Sequence, residues 1–138
     1  MDNLWPSFKA AENITTPKEI LEKQGQYLLE STDGIVYGIV EEVNKHFAPT
    51  GMANAFVYRF SIKSKFLDSY SYVLLYVSHD ITIYPFKTKL DERIASELGI
   101  KGVMLSVNSE KEFLSLLSKM FNTNRVQVIV GSIMKLSK

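Results

Sequence analysis

The residues that could do chemistry are cations and tyrosines at alternating positions of two neighbouring segments. They are Arg59, Lys63, Lys65, Tyr70, Tyr72 and Tyr76. Alternate residues of a β-strand share one face, so these side chains form a single surface if the two faces coincide. A basic and aromatic surface can stack bases and hold phosphates, or it can serve as a protein interface rich in Tyr and Arg.

The alternative is that helices cover this surface, so that the tyrosines belong to the core and only their hydroxyl groups reach the rim. Both faces of the first and third predicted strands carry apolar side chains that need cover, which favours this alternative. The sequence pI of about 7.9 also lies below the value of about 9 that is typical of a dedicated nucleic-acid-binding module. A nucleic-acid partner is therefore not expected.

Other candidate chemistry is sparse. His79 and Asp80 look like half of a catalytic pair, but adjacent residues of a strand point to opposite faces, and Asp favours tight turns. We therefore interpret both as turn residues. The chain has two histidines and no cysteine, which disfavours a transition-metal site, and it contains no phosphate-binding glycine motif and no GxSxG elbow. The sequence predicts no catalytic residue, no cofactor and no metal site.

Apolar periodicity predicts the elements that position these side chains. Thr16 and Glu19 form a capping box with Pro17 at the first helical position, which predicts a helix to about Ser31. Alternating apolar residues predict strands over 34–43, 55–65, 70–78, 81–86 and 100–107. Further helices are predicted over 90–98, from a second capping box at Ser109, and over 124–136. Residues 126–136 also fit a strand, but their spacing favours a helix.

These elements predict an α+β domain over residues 16–138. Its antiparallel meander has four to five strands, because the short connections leave no room for crossover helices. An N-terminal helix precedes the meander, and two to three C-terminal helices complete the domain. Residues 1–15 are predicted to form an irregular arm, in which Trp5 and Phe8 are expected to dock on the domain or on a neighbouring subunit, since exposing such rings forfeits favourable burial.

Composition narrows the function classes. The chain of 138 residues has a net charge of +1, which divides into −4 over residues 1–53 and +5 over residues 54–138 when the charged residues of each part are counted. No apolar run approaches the roughly 20 residues that span a bilayer, so no membrane association is expected. The lack of cysteine fits a reducing compartment, and we expect a cytoplasmic protein.

Two segments carry a resemblance. The first is the pattern TPxxILxxQxxxLxxxTxGxV between Thr16 and Val36, and the second is HDIxxYP between His79 and Pro85. The capped helix that starts at Ser109 adds to it. Together these segments resemble small uncharacterised bacterial single-domain proteins. The resemblance implies a free-standing cytoplasmic protein of bacteria or mobile elements, and it implies no known activity and no functional residue.

The leading hypothesis is a non-enzymatic binding or interaction module that self-associates, as a homodimer for example, through the sheet or through the Trp5 arm, or that binds a protein partner. One alternative is an enzyme for a small molecule, in which Arg59 binds an anion with Tyr72, Tyr84 or His79 nearby. Another alternative is a weak binder of single-stranded nucleic acid on the basic and aromatic face. The absence of a recognisable reaction centre favours the first hypothesis.

Overall fold

The computed structural model describes residues 1–137; the predicted domain ends at Lys138, which lies outside the described residues. A helix begins the domain: α1 spans Pro17–Ser31. The predicted capping box is confirmed, because Thr16 Oγ1 accepts from the Glu19 amide at 3.2 Å and the Glu19 carboxylate accepts from the Thr16 amide at 3.4 Å. These bonds satisfy amides that otherwise lack partners at a helix N-terminus.

Five strands form one antiparallel sheet in the order β1-β2-β3-β4-β5. They span Val36–Glu42, Phe56–Ser64, Leu67–His79, Phe86–Leu90 and Met104–Val107. The strand order follows the chain order, so the sheet is a meander with neighbouring connections. The predicted α+β class and the antiparallel meander are thereby confirmed.

Three further helices follow the fourth strand. Helix α2 spans Glu92–Glu97 between β4 and β5, α3 spans Glu110–Phe121, and α4 spans Asn124–Leu136. The last segment is a helix, as its spacing favoured, and its N-cap is Thr123, whose side chain accepts from the Val126 amide. Capping by a Ser or Thr at this position stabilises a helix by about 1 kcal/mol.

The four α-helices of residues 1–137 pack on the same face of the sheet. The core between them contains the buried side chains Leu21 of α1, Ile94 of α2, Phe113 of α3 and Ile133 of α4. The ring of Phe113 meets that of Phe86 edge to face, with centroids 5.0 Å apart. The sheet therefore has one helix-covered face and one outer face, and the register decides which side chains lie on which face.

One predicted strand is wrong. The segment 81–86 alternates apolar and polar residues, but it forms the irregular connection between β3 and β4, and β4 begins only at Phe86. Ile83 adopts a positive φ of 66°, which a β-branched residue rarely takes. The predicted helix 90–98 accordingly begins later, at Glu92, after its N-cap Asp91.

The predicted start of the third strand at residue 70 is wrong as well. Residues 65 and 66 make the turn, and β3 already begins at Leu67. The other strands are shorter than predicted at one or both ends, most clearly β5, which begins at Met104 instead of residue 100.

A loop covers one end of the outer face. Residues 43–55 connect β1 to β2, and Asn54 accepts a hydrogen bond from Ser78 at 2.6 Å. The Asp80 carboxylate fixes this loop, because it accepts from the Ala55 amide at 3.2 Å and from the Asn54 side chain at 2.9 Å. These two bonds lower the pKa of Asp80 below its ordinary value. Within residues 1–137, no helix lies above the rest of the outer face.

Candidate functional site

The outer face carries a continuous row of long side chains, most of them charged or aromatic, across all five strands. In register order the row is Glu41, Arg59, Tyr76, Lys89 and Met104. Each member is half-buried, and Met104 also lies beside Gly51 of the loop between β1 and β2. A row of partly exposed long side chains on an uncovered sheet can contact another molecule without any rearrangement of the backbone.

A second group completes the outer face beside this row. Tyr37 of β1 lies opposite Lys63 of β2, and Ile39 lies opposite Ser61, which in turn faces Val73 of β3. The outer face, as we use the term, is the row together with these residues and Lys87. Its centre around Ile39 and Val73 is apolar, and its cations lie around that centre.

The outer face is electropositive. Arg59 Nη2 lies 3.3 Å from Glu41 Oε1, and each side chain is 36% exposed, so the pair stabilises the fold by no more than about 1 kcal/mol. This pair is the one salt bridge found within residues 1–137. The ammonium groups of Lys63, Lys87 and Lys89 thus have no carboxylate within 4 Å in that part of the chain, and they remain available to an anionic partner.

A β-bulge separates the tyrosines that the sequence placed on one face. Phe60 pairs with Leu75 and Ser61 pairs with Val73, so Leu74 is an extra residue in β3. One extra residue reverses the alternation of faces along the strand. Tyr76 therefore lies on the outer face opposite Arg59, whereas Tyr72 lies on the helix-covered face opposite Ile62.

Tyr72 belongs to a hydrogen-bond network under α4. Its hydroxyl donates to Asp91 Oδ1 at 2.7 Å and accepts from Arg125 Nε and Nη2 at 3.2 Å. The Arg125 guanidinium also lies 5.3 Å from the centre of the Tyr72 ring. Burial, followed by the bond to Asp91, raises the pKa of Tyr72 above its ordinary value. This arrangement ties β3 to the starts of α2 and α4.

Of the six residues that the sequence placed on one basic and aromatic surface, the structure brings Arg59, Lys63 and Tyr76 together on the outer face. Tyr72 lies in the network beneath α4. Tyr70, two residues before Tyr72 in β3, lines a groove beside Arg125. Lys65, which the sequence placed with Arg59 and Lys63, is exposed in the turn after β2.

The residues suggested for an enzyme do not converge. Arg59 lies on the outer face, whereas His79, which pairs with Phe56, lies on the opposite face of the sheet. His79 Nδ1 donates to the Asp80 carbonyl at 2.8 Å, and its ring stacks on that of Phe56 with centroids 5.2 Å apart. Tyr84 donates to the Thr15 carbonyl at 3.2 Å. These groups therefore do not share a pocket, and each has a structural contact of its own.

An apolar cleft of about 470 Å3 lies between α1 and α4 above the sheet. Its principal lining side chains are Tyr27, Leu28, Phe60, Leu74, Val130 and Met134. Gln24 and Gln127 contribute two amide side chains, and no charged side chain of residues 1–137 lines it. We call it the α1/α4 cleft. Its volume lies within the range of about 300–1,000 Å3 that is usual for ligand sites.

The arm carries the largest exposed apolar side chains near the N-terminus. Trp5 is 75% exposed and Phe8 is 56% exposed, and their ring centroids lie 6.2 Å apart. The only side-chain hydrogen bond of the segment before Thr15, within residues 1–137, is local and joins the Trp5 amide to Asn3. The docking that the sequence predicted for Trp5 and Phe8 is therefore not made with the chain's own domain.

Sequence reasoning missed two sets of residues. Lys87 and Lys89 lie at alternate positions of β4. The predicted strand 81–86 ends before them, so the sequence did not predict that their side chains share a face. The α1/α4 cleft was missed as well, although it left a signal, since Gln24 interrupts the apolar stripe of α1 where that stripe lines the cleft. A polar residue at a core-facing position departs from the pattern of a packed helix unless it has a function.

No group of three or more His, Asp or Glu side chains among the described residues could hold a metal ion. None of the helices within residues 1–137 combines the length and the hydropathy that a membrane crossing requires. Comparison of the chain with protein-family models, with curated proteins and with solved structures gives no match, and its function is therefore inferred from the geometry.

Proposed function

We propose that this chain is a non-enzymatic binding module whose outer face holds an acidic protein partner. The observation that carries the proposal is the uncovered outer face, which combines an apolar centre with four cations against one carboxylate. Protein interfaces have this anatomy, with an apolar core, a polar rim and an excess of Tyr, Met and Arg. Electrostatic attraction to an acidic surface would add to the association rate.

The outer face favours a foreign partner over a second copy. A twofold pairing of two outer faces would bring Lys63 and Lys89 of both copies together, and like charges across an interface are unfavourable. A homodimer therefore needs another surface.

A cytoplasmic location, as expected from the lack of cysteine, and an origin in bacteria are part of the proposal and rest on the sequence.

The proposal is tested by reversing two charges of the outer face. The variant Lys63→Glu/Lys89→Glu is compared with Lys111→Glu/Lys119→Glu, which makes the same charge change on exposed positions of α3. The probe is a fluorescein-labelled polyglutamate peptide, followed by anisotropy at low and high salt. We expect the outer-face variant to bind at least about tenfold more weakly than the α3 variant. Equal binding by the two variants contradicts the proposal.

A single-stranded nucleic acid is the second candidate ligand of the outer face. Tyr76 lies between Arg59 and Lys89 in the row, and an aromatic ring flanked by cations suits a stacked base with phosphates on either side. Titration with labelled oligothymidylate at two salt concentrations tests it, because phosphate contacts weaken steeply with salt. Substitution of Tyr76 by Leu should then weaken oligothymidylate binding more than polyglutamate binding.

A further inference from the structure

The arm and the α1/α4 cleft are two apolar surfaces of one chain that do not meet in the structure. Leu4, Trp5 and Phe8 are 88%, 75% and 56% exposed. A Trp or Phe side chain buries about 150–250 Å2 when it docks, so leaving the arm in water forfeits a large apolar contribution. The cleft offers the exposed Tyr27 and the half-buried Leu28, Val130 and Met134 at the same time.

The arm and the cleft match in charge. The segment Leu4–Phe8 carries no charged residue, and the nearest charges, Asp2 and Lys9, flank it on both sides. The cleft likewise has no charged lining side chain among residues 1–137. An uncharged segment can enter an uncharged cleft without the cost of burying an unpaired charge, while its flanking charges stay at the rim in water.

The cleft also suits a peptide backbone. Gln24 and Gln127 lie on opposite helices, and their amide groups can donate to and accept from the main chain of an inserted segment. Pro6 lies at the centre of the arm segment and lacks a backbone N–H. The segment therefore brings one donor fewer into the apolar cleft than another sequence of its length.

The arm stands outside its own cleft. Thr15 is held near the connection between β3 and β4 by the bond from Tyr84, and the cleft is lined by the second half of α1, from Gln24 to Ser31. We infer that the Leu4–Phe8 segment of one copy occupies the α1/α4 cleft of a second copy. A twofold pair then makes two identical arm–cleft contacts, and it leaves the outer face free for the partner proposed above.

Sedimentation velocity of the full chain over a range of micromolar concentrations is the first test. The wild type is expected to dimerise, and both Trp5→Ala in the arm and Gly131→Leu in the cleft are expected to raise the dimer dissociation constant at least about tenfold. A Cβ at Gly131 meets no atom within 4 Å, and Gly131 lines the cleft, so a leucine there is expected to enter the cleft. Gly131→Ala, and Ser118→Leu on α3, serve as controls and should dimerise like the wild type.

Mixing the two defective variants gives a sharper result. Trp5→Ala keeps an intact cleft and Gly131→Leu keeps an intact arm, so an equimolar mixture can form a heterodimer with one of the two contacts. We expect the mixture to associate more strongly than either variant alone. If the mixture associates only as strongly as the average of the two variants measured separately, the inference is overturned.

Trp5 is the only tryptophan, so its emission reports the environment of the arm. We expect a blue shift that grows with protein concentration and that is absent in Gly131→Leu. A wild type that stays monomeric with red-shifted emission overturns the inference, and so does a blue shift independent of concentration, which would place the arm in its own cleft. Saturable binding of N-phenyl-1-naphthylamine by a purely monomeric protein would likewise overturn it and would assign the cleft to a small apolar ligand.

Discussion

Gly25 of α1 and Gly38 of β1 lie against each other so closely that neither position has room for a side chain. A Cβ on Gly25 would lie 2.8 Å from the carbonyl carbon of Gly38, and a Cβ on Gly38 would lie 2.8 Å from Cα of Gly25. The close approach brings α1 down onto the first strand and so sets the position of one wall of the α1/α4 cleft.

Alanine at position 25 should therefore destabilise the protein, although alanine favours helices. The added methyl group meets backbone, which cannot rotate away, and overpacking of this kind costs about 1–3 kcal/mol. The gain in helix propensity is only about 1 kcal/mol. Gly131→Ala is the matched control, because that position is open, and it should stabilise by about 0.5–1 kcal/mol. Urea unfolding of both variants measures the two signs, and stabilisation by Gly25→Ala would contradict the packing described.

Substitution by alanine should have opposite effects on stability at two buried serines. Ser61 is fully buried and its hydroxyl is the one buried side-chain polar group without a hydrogen-bond partner in residues 1–137. Ser78 is equally buried but donates to Asn54 at 2.6 Å. Ser61→Ala should leave stability unchanged or raise it by up to about 1 kcal/mol, whereas Ser78→Ala should cost about 1 kcal/mol or more. Thermal unfolding compares them, and the same sign for both would refute the assignment.

Acid should loosen the loop that covers the end of the outer face. The folded-state pKa of Asp80 is lowered by its bonds to Ala55 and Asn54, so its contribution to stability is complete above the unfolded pKa of about 3.9 and is lost as the pH falls through the lower folded value. Asp80→Asn should therefore be less stable than the wild type at neutral pH, and the difference should shrink as the pH falls through the folded value. A difference that persists in acid would show that the carboxylate charge is not its cause.

The Tyr72 network should show the opposite pH dependence. Its folded pKa is raised, so the stabilisation is complete below the unfolded pKa of about 10 and is lost as the pH rises through the folded value. Tyr72→Phe should cost about 1 kcal/mol at neutral pH, and the difference from the wild type should shrink above about pH 10. Denaturant unfolding at several alkaline pH values follows this difference, and a constant difference across them would contradict the network.

The fold was predictable where local physics decides the structure. The capping box at Thr16 and Glu19 determines where α1 begins, and the side chain of Ser109 caps α3 by accepting from the Glu112 amide. The second predicted capping box is only half formed, because the Glu112 carboxylate accepts from the Asn108 amide and not from the Ser109 amide. Both signals lie within four residues of sequence, so no tertiary information is needed to read them. The spacing from Val126 to Ile133 likewise favoured a helix over a strand, and α4 is one.

The site was less predictable because its geometry depends on distant contacts. The bulge at Leu74 exists only in the pairing of β3 with β2, and it alone moves Tyr72 away from Tyr76. The segment 81–86 has the alternation of a strand, yet Asp80 binds the loop before β2 and residues 81–85 form a turn. Neither feature can be recognised in the local sequence. Both features determine which cations and tyrosines share a face.

Residue-resolved NMR of the isotopically labelled full chain, titrated with the polyglutamate peptide, tests the binding role of the outer face most directly. We expect the largest amide shift changes at Arg59, Ser61, Tyr76 and Lys89, and none of comparable size on α3. Shift changes confined to the helix-covered side, or spread evenly over the surface, would contradict the proposal that the outer face is the binding surface.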